Sequence, residues 1–306
     1  MKKILITGGT GFIGINLIKK LATEKGNKIY VLSRKTSLTI EEKDFKFFSK
    51  IKFLKGDIIN FQTNLKFDEI YHFAYDTYEG DNFLNYSSKT IIDGIVKISQ
   101  ICANSETKKL VFLSSGAVYG DQIGDENFNK SIIKFPLFNK DHHYGFLKAA
   151  AEQYLWSVFY KSEVSISVYR VFAVIGPYMK LNQKFILGNL INDILENKGT
   201  KLNTDCNVKR NIIHVDDLVN ILINNKSNKR FQVQDILGQE LNLKQFIEKL
   251  IMKYGYPIKF GLKKNKLRVN YTLQSKNKDF HKDYTENKFN ETLKWFKEAK
   301  FLKIKI

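Results

Sequence analysis

The stretch Ile4 to Asn16, ILITGGTGFIGIN, does most to limit what this chain can fold into. Ile4, Leu5 and Ile6 form a short apolar run with the look of a buried parallel strand. Thr7-Gly8-Gly9-Thr10-Gly11 turns the chain, and Phe12 to Leu21 then carries Ile13, Leu17, Ile18 and Leu21 at helical spacing. Strand, glycine turn and helix in this order aim unpaired backbone N–H groups and the positive end of a helix at a phosphate. The glycines fall at 8, 11 and 14, a GxxGxxG spacing in place of GxGxxG. Gly8 serves the turn, Gly11 the close approach of a pyrophosphate, and Gly14 the tight packing of helix on strand. A glycine-rich turn without a ligand is the plain competing account. Placement directly after the first strand of an α/β chain favours a dinucleotide site.

The chain has 306 residues, enough for one large domain or two modest ones. It is 43% hydrophobic and 26% charged, with three prolines and no low-complexity run or repeat, which is ordinary for a folded soluble protein. Met1-Lys2-Lys3 ahead of an apolar run has the outline of a leader peptide, but that run breaks at Thr7-Gly8-Gly9, where the glycines have a better use. No stretch approaches the length of a membrane span. Two cysteines, Cys102 and Cys206, make neither a disulfide framework nor a metal spacing, and no metal is expected. A cytoplasmic location is expected, with no membrane partner. The formal charge is +19, which can signal nucleic acid or an anionic surface. Here lysine is spread along the whole chain with no dense block and no nucleic-acid motif, so no nucleic-acid partner is expected.

Lys28 to Ser33 reads as the second strand, and its tip is Ser33-Arg34-Lys35. NAD sites usually place a carboxylate there for the adenosine ribose; a cation instead suits a 2′-phosphate and favours NADP over NAD. Ile51 to Leu54 reads as a third strand leading to Gly56-Asp57-Ile58, where Asp57 either accepts from the adenine amino group or caps a turn. Asp68 to Ala74 is the fourth strand. His72 within it reads as a structural histidine, and the small Ala74 would let a nicotinamide ribose lie close. Tyr75 to Gly80, which includes Thr77, forms a polar aromatic loop at the strand's carboxyl end, where open α/β sheets take ligands. Ile91 to Ala103 is an apolar-periodic helix, and Lys109 to Ser114 is a fifth strand leaving through Ser114-Ser115-Gly116. A long polar loop, Asp121 to His143, precedes Tyr144 and Lys148 on a further helix. Four residues apart, these two share one helical face. A lysine beside a phenol stabilises phenolate and lowers its pKa from about 10 towards working pH, which equips Tyr144 to give or take a proton.

In this order the chain resembles the extended short-chain dehydrogenase/reductase family, in its nucleotide-sugar epimerase, dehydratase and reductase branch. The matching motifs are TGGTGFIG at 7–14, GDI at 56–58, HFA at 72–74, SSGAVYG at 114–120, YGFLK at 144–148, RVFAVIGP at 170–177 and RNIIHVDD at 210–217. The resemblance weakens beyond about residue 235. It implies an α/β fold, a Rossmann-type doubly wound parallel sheet with a smaller α/β C-terminal substrate domain. The dinucleotide-binding domain would take 1–174 and 212–236, and the substrate domain 175–211 and 237–306. It implies that Gly8, Gly11, Phe12, Ile13 and Gly14 hold the pyrophosphate, Arg34 a 2′-phosphate, Asp57 and Ile58 the adenine, and Ala74 the nicotinamide side. Lys148 would bond the nicotinamide ribose and tune Tyr144, with Ser115 orienting the reacting oxygen. Tyr75, Thr77, Arg210 and Arg268 would contact the sugar nucleotide, the two arginines at its diphosphate. His214 and Asp217 would brace the fold. A homodimer is implied.

The departures from the family pattern carry information. Dehydratases of this branch have an acidic pair just after the catalytic hydroxyl residue, where this chain has Gly116 and Ala117. Ala173 stands where many epimerases have Asn, and Ile91 where a helix Asn precedes Gly94. With Arg34 suiting a reductase that exchanges its cofactor, the chain most resembles the short 4-ketoreductases of this branch, and the resemblance implies NADPH-dependent reduction of the C4 ketone of a 4-keto (deoxy) nucleotide sugar, in surface polysaccharide biosynthesis. An NAD-dependent nucleotide-sugar 4-epimerase or 4-dehydrogenase is the alternative. A non-catalytic NAD(P)-binding sensor is the distant one.

Overall fold

The computed structural model describes residues 1–75, 83–120, 130, 142–181, 185–203, 205–224, 229–261 and 280–306, with backbone only at 83–87. Seven strands form a wholly parallel main sheet: β1 (Lys2–Thr7), β2 (Asn27–Ser33), β3 (Lys52–Lys55), β4 (Glu69–His72), β5 (Lys109–Ser115), β6 (Ser165–Val171) and β7 (Phe231–Ile236). Their order across the sheet is β7-β6-β5-β4-β1-β2-β3. The chain winds outward from β1 to one edge and from β4 to the other, so its direction reverses between β1 and β4. The carboxyl ends of these two strands bound the crevice where open α/β sheets hold ligands.

Alternation along the strands splits the sheet's two faces into two cores. Ile4 and Ile6 join Val31, Val111, Leu113 and Val171 on one face, covered by Leu17 and Ile18 of α1 (Phe12–Thr23) and by Leu218, Val219 and Leu222 of the helix Val215–Asn224. Leu5 points the other way, with Ile70, Leu110, Phe112, Ile166 and Val168. That face is covered by Ile91, Ile95 and Ile98 of α2 (Phe83–Ser105), and by Leu147, Ala151, Leu155 and Phe159 of α3 (His143–Phe159). Helices on both faces make the sheet doubly wound, as the sequence implies.

A further core gathers Leu190 and Ile191, Phe246, Ile247 and Leu250, and Phe289 and Leu293, from the helices Ile186–Leu195, Leu243–Tyr254 and Tyr284–Glu298. The strand Lys209–His214 links it to the main sheet, running parallel to Ala173–Ile175 and antiparallel to Gln239–Asn242. Because neighbouring strand residues face opposite ways, Ile212 lies in the further core and Ile213 in the first. The last strand, Phe301–Lys305, crosses back to pair antiparallel with Ser37–Glu41.

The fourth strand ends sooner than the apolar run Asp68–Ala74 suggests. Phe73 still donates its N–H to the Thr7 carbonyl at 3.1 Å, but the Ala74 N–H goes to the Thr7 hydroxyl at 3.2 Å. A side chain has taken over from the ladder and peels the chain off the sheet. The helix expected over Ile91–Ala103 runs further at both ends, as Phe83–Ser105. Most of the expected loop 121–143 lies outside the described residues. Among the described residues no helix is long and apolar enough to cross a membrane.

Candidate active site

The glycine turn is built for close approach. Gly8 sits at φ +72°, and a Cβ on it would meet the Phe73 carbonyl carbon at 2.7 Å. A Cβ on Gly14 would lie 2.3 Å from the Gly8 carbonyl oxygen, so α1 can rest on the turn only with glycine there. Gly11 begins α1 in extended conformation with no side-chain cap, its own N–H bonded to the Gly8 carbonyl at 3.0 Å. The first-turn amides of Phe12, Ile13 and Gly14 have no acceptor within the helix, and the helix dipole adds positive potential. This is a cradle that fits a pyrophosphate.

At the tip of β2, Arg34 Nη1 stands 3.6 Å from Asp57 Oδ2. The other Asp57 oxygen accepts the Ile59 N–H at 3.1 Å, so Asp57 does cap a turn. The Ile58 side chain is buried in the core of that face, which leaves its backbone to serve any ligand. Partial burial lowers the pKa of Lys35, and repulsion from Lys180 and Arg34 lowers it further. Three cations, Arg34, Lys35 and Lys180, therefore gather near the tip of β2.

The other half of the site stands at the carboxyl end of β5. Ser115 ends that strand and its Oγ accepts the Ala117 N–H at 3.2 Å, capping the short turn Gly116–Tyr119. Helix α3 lays Leu147, Ala151 and Leu155 on the sheet and thereby carries Lys148 inward, 1% exposed. Lys148 Nζ donates to the Leu113 carbonyl at 2.9 Å. It lies over three rings, with centroids at 4.4 Å for Tyr75, 4.7 Å for Phe112 and 5.9 Å for Tyr144. Burial pushes the Lys148 ammonium down to about 7, against the pull of Glu152 in the other direction. Tyr75 packs its ring 5.6 Å from that of Tyr144, and the two hydroxyls are hydrogen-bonded. Burial raises the Tyr75 pKa and the Tyr144 bond offsets part of that. So Tyr75, Tyr144 and Lys148 meet, and the Lys148 bond to Leu113 sets them beside the strand end that carries Ser115. A phenol held beside an ammonium, with a hydroxyl nearby, is an arrangement for moving a proton to or from an oxygen.

His72 is structural, as its apolar strand suggests. Its Nδ1 is 2.7 Å from the Thr7 hydroxyl, and burial together with Lys148 lowers its pKa to about 3, so it stays neutral. His214 and Asp217 brace the fold: the His214 N–H donates to the Tyr284 hydroxyl at 2.8 Å, which donates to Asp217 Oδ2 at 2.5 Å. Arg210 Nη1 donates to the Lys209 carbonyl at 2.7 Å on the linking strand. Thr77 and Arg268 lie outside the described residues. Sequence reasoning did not single out Glu152, Arg170 or Phe172. Glu152 had a signal, standing four residues beyond Lys148 as Lys148 stands beyond Tyr144.

The family model for the NAD dependent epimerase/dehydratase family matches residues 4–232. The chain belongs to this family. Among curated members, a dTDP-D-glucose 4,6-dehydratase from Dictyostelium discoideum is 28% identical over 238 residues, covering 72% of this chain and 54% of that protein. This chain thus spans little more than half of that relative. An ADP-L-glycero-D-manno-heptose-6-epimerase from Brachyspira hyodysenteriae is 29% identical over 71% of this chain and 70% of its own length. Among solved members, the UDP-N-acetylglucosamine 4-epimerase from Methanobrevibacter ruminantium, in complex with UDP-N-acetylmuramic acid, superposes with a TM-score of 0.79 at 23% identity, covering 96% of this chain and 98% of that one. The UDP-glucose 4-epimerase from Thermotoga maritima gives 0.78 at 20% identity, covering 97% and 99%. These two likenesses establish the shared fold.

Proposed function

We propose that this family member reduces the C4 ketone of a 4-keto nucleotide sugar with NADPH, in the making of a surface polysaccharide. The convergence of Ser115, Tyr144 and Lys148 beside the glycine cradle carries the reading. A reduced nicotinamide, when bound, supplies the hydride for C4. Tyr144 delivers a proton to the C4 oxygen, and its phenol gives that proton up more readily because Lys148 is an ammonium. The Ser115 hydroxyl polarises the ketone and fixes its direction. Phe12, Ile13 and Gly14 present backbone amides to the pyrophosphate. Arg210 and Arg268 serve the sugar nucleotide's diphosphate, and Tyr75 and Thr77 its sugar. The division into a dinucleotide domain and a substrate domain is part of this reading, as are a homodimer and a cytoplasmic setting.

Dehydration is disfavoured by the space at Gly116. A Cβ there would stand 2.4 Å from the Phe172 ring, so the acidic pair of dehydratases does not fit without displacing that ring. NADP over NAD is supported by Arg34, Lys35 and Lys180, with no carboxylate at the β2 tip itself. The second reading is an NAD-dependent nucleotide-sugar 4-epimerase or 4-dehydrogenase, favoured by the fold's likeness to 4-epimerases.

Calorimetry of desalted protein with NADPH and NADH, beside Arg34→Ala, separates the two. A clear NADPH preference, reduced tenfold or more in the variant (about 1.4 kcal/mol or more), supports the exchanging reductase, and turnover of 4-keto sugar nucleotides then completes the case. Equal affinities, or protein that keeps NAD through desalting, sink the NADPH reading and put the epimerase first.

A further inference from the structure

Tyr144, Lys148 and Glu152 recur at four-residue steps and so form one stripe along α3. The stripe is stitched to β5 at successive residues. Lys148 Nζ bonds the Leu113 carbonyl, the Ser114 hydroxyl bonds Glu152 Oε1, and the next residue is Ser115. Both charged groups are inside, Lys148 at 1% exposure and Glu152 at 4%.

We propose that Glu152, held by Arg170, is a positioning residue that keeps Lys148 in its ammonium form beneath the catalytic phenol. The proposal rests on Tyr144 and Lys148 being the proton-transfer pair. A buried ammonium is destabilised by loss of water, and an anion nearby is what restores it. Burial acts on Lys148 in that direction and Glu152 acts against it. Among the described residues, the other groups facing Lys148 supply no anion. On α3 there is the Tyr144 phenol; from β4 and its exit come neutral His72 and the Tyr75 phenol; β5 offers the Phe112 ring and the Leu113 carbonyl.

A buried carboxylate would itself take up a proton without a partner. Arg170, on β6, supplies that partner as a fork. Its Nε lies 3.0 and 3.1 Å from the two Glu152 oxygens, and its Nη2 lies 2.5 Å from Oε2. The remaining Nη1 donates to the Tyr119 hydroxyl at 2.8 Å, which donates to Asp235 at 2.6 Å, and Lys130 closes the chain on Asp235 at 2.5 Å. With its hydrogen bonds made along the whole length, the network fixes the Glu152 carboxylate one helical turn beyond Lys148.

A pair that only pinned helix to sheet would leave the Lys148 titration where it is, which distinguishes the proposal from a purely structural ion pair. The test is lysine-Cε-labelled full-length protein titrated by NMR from about pH 6 to 10, with the Lys148 signal assigned by its loss in Lys148→Met. Glu152→Gln should lower the Lys148 midpoint by about one pH unit or more, a tenfold change in its protonation equilibrium. Arg170→Gln, which takes away the fork that holds the Glu152 carboxylate charged and in place, should lower it as well. Glu152→Asp should return it towards wild type. No movement in Glu152→Gln, or a rise, overturns the proposal and leaves a pair that only pins helix to sheet. If Glu152→Gln fails to fold, Arg170→Gln still decides, because it too should lower the midpoint. The alkaline limb of kcat should follow the midpoint. Absence of turnover with any sugar nucleotide would count against the proposed reaction while leaving the titration to judge Glu152.

Discussion

Replacing Tyr144 by phenylalanine removes a single oxygen from the site. If that oxygen hands over the proton, kcat in steady-state assays should fall roughly 10²- to 10⁴-fold while cofactor affinity by calorimetry stays close to wild type. Gly116→Asp tests the exclusion of dehydration at the same scale. With Phe172 2.4 Å from the added Cβ, overpacking should cost about 1–3 kcal/mol in urea unfolding, and no 4,6-dehydratase activity should appear. Lys148 also leaves a mark on stability. Its folded-state pKa, about 7, is depressed below the ordinary 10.5. The unfolded chain therefore binds more protons between those values, and this group's contribution to stability rises with pH across that window. Below it the cost of burying the ammonium is felt in full; above it that cost is gone. Urea midpoints of wild type and Lys148→Met, compared from about pH 7 to 10, should rise more steeply with pH in wild type than in the variant.

At the scale of elements, Trp295 shows what local pattern hides. Its indole Nε1 donates to Glu41 Oε2 at 2.8 Å, tying the helix Tyr284–Glu298 to the strand Ser37–Glu41 on which the last strand also pairs. Glu41 is 5% exposed, so Trp295→Phe leaves a buried carboxylate oxygen short of a donor. The cost should be about 1–3 kcal/mol in urea unfolding followed by circular dichroism. Nothing near Trp295 in the sequence announces this, because its partner lies 254 residues away. By contrast β1, α1 and β5 could be read directly, since a buried parallel strand is a continuous apolar run and a covering helix keeps its 3.6-residue period. The site divides the same way. The glycine cradle and the Tyr144–Lys148 spacing are local and legible. The Arg170 fork and the Tyr75 ring on Lys148 depend on β6 and β4 lying beside β5 and α3, which only the fold arranges. The capping of the Ala74 N–H by Thr7 likewise needs β1 beside β4, so the early end of β4 was not legible in its apolar run.

The whole molecule carries a formal charge of +19, spread along the chain. Spread charge of one sign opposes the compact state, yet it also sets up a field that draws anions from beyond contact range. Arg34, Lys35 and Lys180 add a local focus near the tip of β2. Both ligands in the proposed reaction, a dinucleotide and a sugar nucleotide, are polyanions. Attraction at long range acts on encounter rather than on chemistry, so salt should separate the two. Between about 20 and 300 mM salt the screening length shrinks from roughly 20 Å to under 10 Å. The association rate of NADPH by stopped-flow fluorescence should then fall tenfold or more, while kcat at saturation barely moves. Arg34→Ala should lower the rate at low salt and flatten its salt dependence only in part, because the remaining field belongs to the chain as a whole. An association rate indifferent to salt would mean that the excess lysine has no part in gathering ligands and that the local cations act only after contact.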